Sequence, residues 1–151
     1  MSAGPYVRML IVMAACLFAG GAYTDNMLPT MRLQIGMHIV QAEIANSEDT
    51  RSHGLMGRTA LPGNSGMLFV FEHPDTYSMW MKNTLIPLSV AFIDEKGVIL
   101  NIEEMKPLTE TVHPSAGPAK FALEMSGGWF AKKGVKPGDR FKGLESAPAA
   151  R

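Results

Sequence analysis

Five residues with polar or aromatic side chains lie within or beside apolar runs of this sequence. They are Arg58, Trp80, Lys82, Asn83 and Glu124. Lys82 directly follows the segment MWM, and Glu124 directly follows FAL. A buried charge is costly unless it is paired or used. The sequence therefore predicts one ligand-binding site that groups these five residues at the mouth of a sheet.

Each of the five residues also has a structural alternative. Trp80 could be a core residue, and Arg58 could form a structural ion pair with Glu124. Lys82 could be a solvated strand end, and Asn83 could hydrogen-bond its own backbone in a turn. Lys82 and Glu124 are expected to face each other if the site interpretation holds.

No established catalytic motif occurs in the sequence. Gly-x-Ser-x-Gly, a phosphate-binding loop and His-Glu-x-x-His are all absent, and the four histidines are not spaced as zinc ligands. We expect a binding or accessory domain without enzymatic activity and without a cofactor. A hydrolase-like enzyme with a dispersed site, for example Lys82 with Glu124 and His113, is kept as an alternative.

Two methionines suggest another alternative, a site for Cu(I). Met79 and Met81 would lie on one face of a strand, and thioethers are ligands that Cu(I) accepts. Methionine is also a common core filler, and Trp80 would lie on the opposite face. The core interpretation is therefore favoured, and no metal is expected.

Four segments in a fixed order carry a family resemblance. They are residues 54–58 (GLMGR), 66–71 (GMLFVF), 80–88 (WMKNTLIPL) and 123–128 (LEMSGG). This set resembles domain of unknown function family 192 over residues 32–143. The resemblance implies a small, strand-rich, single-domain protein, often exported, with no established activity. The family usually has Asp where this chain has Ser89, which puts any role for a carboxylate there in doubt.

Length and charge restrict the remaining classes. The 151 residues suit one domain. Fourteen basic residues balance fourteen acidic ones, so no electrostatic field attracts nucleic acid or an anionic membrane. We expect the partner to be an unknown small molecule or another exported protein.

Residues 1–22 are predicted to be a signal peptide. Arg8 precedes an apolar stretch, residues 9–19, that is too short to span a bilayer. The protein is thus expected to be periplasmic or secreted. Cys16, the single cysteine, follows MAA in a pattern similar to a bacterial lipoprotein box, so a lipid anchor at Cys16 is the alternative and the one expected route to a membrane.

The rest of the chain divides into a tether, a domain and a tail. Residues 23–31 are predicted to be the tether, residues 32–145 the domain, and residues 146–151 a disordered tail. Short alternating or apolar runs predict an α+β, mainly β fold, a compact rolled or barrel-like antiparallel sheet of about seven or eight short strands with two short helices. Leu88–Ile93 should be covered on both faces. The loop at residues 106–119 is expected to cover the site.

Overall fold

A seven-stranded sheet organises residues 27–151, the part of the chain that the computed structural model describes. The elements in chain order are β1 Thr30–Ile35, β2 His38–Ala45, α1 Glu48–His53, β3 Ser65–Asp75, β4 Ser78–Met79, β5 Leu88–Ile93, β6 Ile99–Met105, β7 His113–Pro114, β8 Ala119–Ser126, α2 Trp129–Lys132, β9 Phe141–Lys142 and a 3-10 turn, Leu144–Ser146. The strand order in the large sheet is β6-β5-β8-β3-β2-β1-β9, and β4 pairs with β7 in a second, small sheet.

The sheet is curled into a half-barrel, and the predicted fold class is confirmed. All neighbouring strands are antiparallel except β2 and β3, which are parallel. A parallel pair requires a crossover connection. Here that connection contains α1 and the turn after it, so this segment lies over one face of the sheet.

Two hydrophobic cores lie on the two faces of the sheet. The first core contains Leu68, Leu123 and Phe130 among others. The second core contains Met67, Phe92 and other residues that pack beneath the α1 connection. Leu88–Ile93 is buried along its whole length, as predicted, because both cores cover it.

A capping box starts α1. The Ser47 side chain accepts a hydrogen bond from the Thr50 N–H, and the Thr50 hydroxyl accepts one from the Ser47 N–H. The helix ends at His53, because Gly54 has φ +50° and leaves the helical conformation. The turn that follows directs Leu55 into the second core.

Both ends of the described chain are more regular than the sequence indicated. β1 begins at Thr30, within the predicted tether, and Pro29 already accepts a hydrogen bond from the Ile44 N–H. Asn46 donates to the Ala149 carbonyl and accepts from the Arg151 N–H, so the predicted disordered tail instead has backbone partners beside β2. The predicted signal peptide and Cys16 lie outside the described residues. None of the helices within residues 27–151 has the length and hydropathy needed to cross a membrane.

Candidate functional site

A row of residues crosses the sheet on the side of the second core. Strand register places Glu43 beside Met67, Met67 beside Glu124, Glu124 beside Val90, and Val90 beside Glu103. Residues in direct register point to the same face of a sheet. Three glutamates on three different strands therefore alternate with two apolar residues. We call these five residues the glutamate row.

Glu43, at one end of the row, has a basic partner. Its side chain is buried, and both carboxylate oxygens accept hydrogen bonds from Arg58, at 2.9 and 2.7 Å. This bidentate arrangement is the strong geometry for an arginine and a carboxylate. Arg58 does form an ion pair, but its partner is Glu43 and not the predicted Glu124. The turn after α1 places Arg58 over β2, the strand that carries Glu43.

Glu103, at the other end, also has polar neighbours. The Asn101 side-chain amide donates to it at 3.0 Å, and His113 Nδ1 lies 4.0 Å from its other oxygen. Its side chain is partly exposed. Water and neighbouring groups can therefore solvate this carboxylate.

Glu124, in the middle of the row, differs from both. It is 4% exposed, and no other residue of the described range 27–151 forms a hydrogen bond or ion pair with its side chain. Desolvation by burial raises the pKa of Glu124 from 4.5 to about 8. The carboxyl is therefore mostly protonated at pH 7 and can both donate and accept a hydrogen bond.

Glu124 lies at a cavity of about 110 Å³. Its walls come from α1 and the turn after it, from β3 and from the segment around β4. The lining residues are Arg51, Ser52, His53, Gly54, Leu55, Met56, Phe69, Ser78, Met79, Trp80, Thr84 and Glu124. Trp80 is 47% exposed, so part of its indole is open to solvent. A buried acid, hydroxyl groups and an accessible aromatic ring make this cavity the candidate site.

Lys82 does not belong to this cavity. Its Nζ lies 3.7 Å from Glu110 Oε1 and 5.2 Å from the centre of the Trp80 ring, and both charged side chains are largely exposed. The expectation that Lys82 and Glu124 face each other is therefore not met. His113 lies beside Glu103, so the dispersed hydrolase-like assembly is not brought together either.

Asn83 acts through its backbone. It has φ +56°, and its carbonyl accepts a hydrogen bond from the Gly57 N–H at 3.0 Å. Asparagine tolerates this left-handed conformation better than most residues. Asn83 thus ties the turn after α1 to the segment that carries Trp80, and it does not line the cavity.

The loop at residues 106–118 supports that segment and does not contribute to the cavity lining described above. Its Thr109 carbonyl accepts from the Met81 N–H, and its Leu108 N–H donates to the Thr84 carbonyl. At its far end β7 pairs with β4. The loop therefore fixes the position of Trp80 and Thr84 through these backbone hydrogen bonds. It was predicted to cover the site, and it does not line the cavity.

The two methionines of the copper alternative lie in different environments. Met81 is fully buried in the second core, whereas Met79 is partly buried and lines the cavity. Residues 27–151 contain no group of three or more His, Cys, Asp or Glu side chains placed to hold a metal ion.

The family usually has an aspartate where this chain has Ser89. Glu104, on the neighbouring strand, nevertheless places a carboxylate beside Ser89. The Ser89 hydroxyl lies 2.6 and 2.7 Å from the two oxygens of Glu104 on the neighbouring strand. The Gly128 N–H donates to both the hydroxyl and the carboxylate, at 2.7 and 3.1 Å. Ser89 on β5 and Glu104 on β6 together thus place one carboxylate beside the Gly128 N–H.

Sequence reasoning identified Trp80 and Glu124 but missed the α1 side of the cavity and the partner of Arg58. Arg51 and His53 line the cavity and were not predicted, because polar residues of a short helix are usually solvated. Glu43 was missed because strict alternation with the apolar residues Val40, Ala42 and Ile44 puts it on the other face of the strand, where a solvated side chain is the simplest interpretation. The one signal in the sequence for Glu43 is Arg58. Its guanidinium needs an acidic partner once the turn after α1 packs on the sheet.

Comparisons with known proteins identify a family and two similar crystal structures. A sequence model of domain of unknown function family 192, described as "Uncharacterized ACR", matches residues 31–143. A crystal structure of a protein of unknown function from Novosphingobium aromaticivorans DSM 12444 has 34% identity and a TM-score of 0.75, and the match covers 80% of this chain and 89% of that one.

A second crystal structure, of a Sinorhizobium meliloti 1021 protein provisionally named a transcription regulator, has 34% identity and a TM-score of 0.74. That match covers 76% of this chain and 94% of the other. No curated protein matches the chain.

Proposed function

The chain belongs to domain of unknown function family 192, and on that premise we propose that it is a small exported binding domain whose ligand enters the cavity at Glu124. One observation carries this proposal. Glu124 is buried at a cavity, has no polar partner within residues 27–151, and belongs to a row whose other two glutamates have partners. No fully buried side-chain nitrogen or oxygen within residues 27–151 lacks a hydrogen bond, so the Glu124 carboxyl is open to the cavity, and a ligand there would supply the partner that buried polar groups normally have.

The surroundings of Glu124 support binding rather than catalysis. The cavity holds a single carboxyl group, and neither Lys82 nor His113 reaches it. The Sinorhizobium protein is named a transcription regulator, but this chain has a formal net charge of zero and so no overall attraction to the phosphates of a nucleic acid. A small molecule fits the cavity better than a polymer does.

The binding part of the proposal is tested by ligand recovery. The protein is purified from its native compartment as wild type, as Glu124→Gln and as Glu95→Gln, and bound molecules are identified by native mass spectrometry. Glu95 is exposed on a turn away from the cavity, so its variant is the matched control. We expect a small molecule with wild type and Glu95→Gln and less of it with Glu124→Gln. Equal recovery from all three proteins, or recovery from none, would contradict the proposed site.

Export rests on residues 1–22, where Arg8 precedes a short apolar stretch. Cell fractionation with intact-mass measurement tests it. We expect a soluble product outside the inner membrane that lacks about the first 22 residues, as the position of the predicted cleavage site implies. A mature chain that begins at a lipid-modified Cys16 would instead support the lipoprotein alternative, and a full-length cytoplasmic chain would contradict export.

A further inference from the structure

The three glutamates of the row differ in the basic side chains beside them. Glu43 has the guanidinium of Arg58, and Glu103 has His113 within 4.0 Å. Glu124 has no ion pair with any residue in the described range, although Arg51 and His53 line the same cavity. The Arg51 guanidinium is held elsewhere, because it donates to the carbonyls of Asn46 and Val70 at 2.9 and 3.0 Å.

The other lining residues of the cavity suit a cation. Trp80, Met79 and Phe69 contribute apolar and aromatic surface, and the face of an indole attracts positive charge. The Trp80 ring already has one cation over it, since Lys82 Nζ lies 5.2 Å from its centre. The cavity, about 110 Å³, exceeds what one water needs and so has room for a small ligand.

Resting on the proposed function, we propose that the cavity binds a small organic cation, an amine or a quaternary ammonium group, held between the Glu124 carboxyl and the Trp80 ring. The cation supplies the positive charge that Glu43 receives from Arg58. Bound cation favours the ionised carboxyl, so binding releases the Glu124 proton in the pH range where the free protein holds it.

The test uses three probes of nearly the same shape: choline, 3,3-dimethylbutan-1-ol and 3,3-dimethylbutanoate. They are positive, neutral and negative, and n-propylammonium is added as a primary amine. Each is titrated into the protein at pH 7 while amide NMR shifts of the cavity residues are followed. We expect a cation to bind at least about ten times more tightly than the alcohol, which corresponds to one charge-assisted hydrogen bond or cation–π contact, and we expect the anion not to bind.

The pH dependence identifies the group responsible. With a pKa of about 8 for Glu124, the ionised fraction rises from about one tenth at pH 7 to about nine tenths at pH 9. The apparent affinity for choline, whose charge does not change with pH, should rise about tenfold over this range. The other charged groups near the cavity are Arg51, His53 and Lys82, and His53→Gln should keep the rise.

Variants distinguish the loss of the cation site from the loss of the fold. Glu124→Gln keeps the shape of the side chain and should lose cation binding and its pH dependence, while Trp80→Leu should weaken binding several-fold. Circular dichroism checks that both are folded, and Glu95→Gln should bind like wild type. Co-sedimentation with phosphatidylcholine vesicles, compared with free choline, distinguishes a lipid headgroup from a free cation as the source. Binding of either one at this cavity supports the proposal.

Each contrary result has a definite meaning. If the alcohol or the anion binds the cavity more tightly than both cations, the cation inference is wrong and the proposed binding site stands. If no probe binds and ligand recovery also fails, both the inference and the proposed function are wrong. If no probe binds but a native ligand that carries no positive charge is recovered at Glu124, only the cation inference is overturned.

Discussion

Glu43 and Glu124 are two glutamates on the same face of one sheet, two strands apart, with nearly equal burial of 5% and 4%. Glu43 is held by both arms of Arg58, whereas no side chain within residues 27–151 pairs with Glu124. Burial alone therefore does not determine how a carboxyl behaves here. The partner decides it, because a paired carboxylate can remain charged in the interior and an unpaired one gains its proton.

The largest predicted effect comes from removing the partner of Glu43. Arg58→Met should lower the free energy of unfolding by about 3–5 kcal/mol, because it leaves a buried carboxylate without its counter-charge. Urea unfolding at pH 7 measures this. The double variant Glu43→Gln with Arg58→Met should recover much of the loss, and a double variant no better than Arg58→Met would show that Arg58 stabilises the fold by other contacts.

The opposite effect is predicted for Glu124. Between pH 4.5 and 8 the folded protein holds a proton that the unfolded chain has lost, so this group's contribution to stability is complete below pH 4.5 and is lost as the pH rises to 8. Glu124→Gln should therefore be more stable than wild type by about 3 kcal/mol at pH 7, and the two should converge near pH 4.5. Urea unfolding across this range, with Glu95→Gln as control, measures the difference. A constant difference at all pH values would contradict the raised pKa.

A third variant tests whether a carboxylate can be moved between neighbouring strands. Ser89→Asp places a second carboxylate against Glu104 and should cost about 2 kcal/mol, since like charges in close contact destabilise a fold. Adding Glu104→Gln should restore most of the stability, because one carboxylate then remains near the Gly128 N–H. Additive losses in the double variant, measured by thermal and urea unfolding, would show that the serine hydroxyl itself is required.

The smallest effect is expected at Lys82. Its ammonium group is exposed and lies beside an exposed Glu110, so Lys82→Met should change the free energy of unfolding by no more than about 0.5 kcal/mol. Combined with Glu124→Gln, the effects should add. A coupling energy above about 1 kcal/mol in this double-mutant cycle would mean that Lys82 does approach the acid in solution.

The sequence predicted the sheet better than it predicted the site. The apolar run Leu88–Ile93 and the alternation around Glu124 were sufficient to place both strands in the sheet. Arg58 and Lys82 were predicted to join Glu124, but their partners are Glu43 and Glu110. Which acid a basic side chain meets depends on strand order and on the path of connections across the sheet, and local patterns contain neither.

The position of β8 between β3 and β5 has a consequence for how the chain acquires its structure. β3 and β5 are close in sequence but do not pair with each other, because β8 lies between them. While the chain is synthesised or translocated from its N-terminus, the edges of both strands stay unpaired until residues 119–126 have emerged. Unpaired strand edges promote aggregation. Glu124 arrives with the strand that closes this gap, and between pH 4.5 and 8 its carboxylate must take up a proton as it enters the sheet, because the neutral acid is cheaper to bury than the charged form.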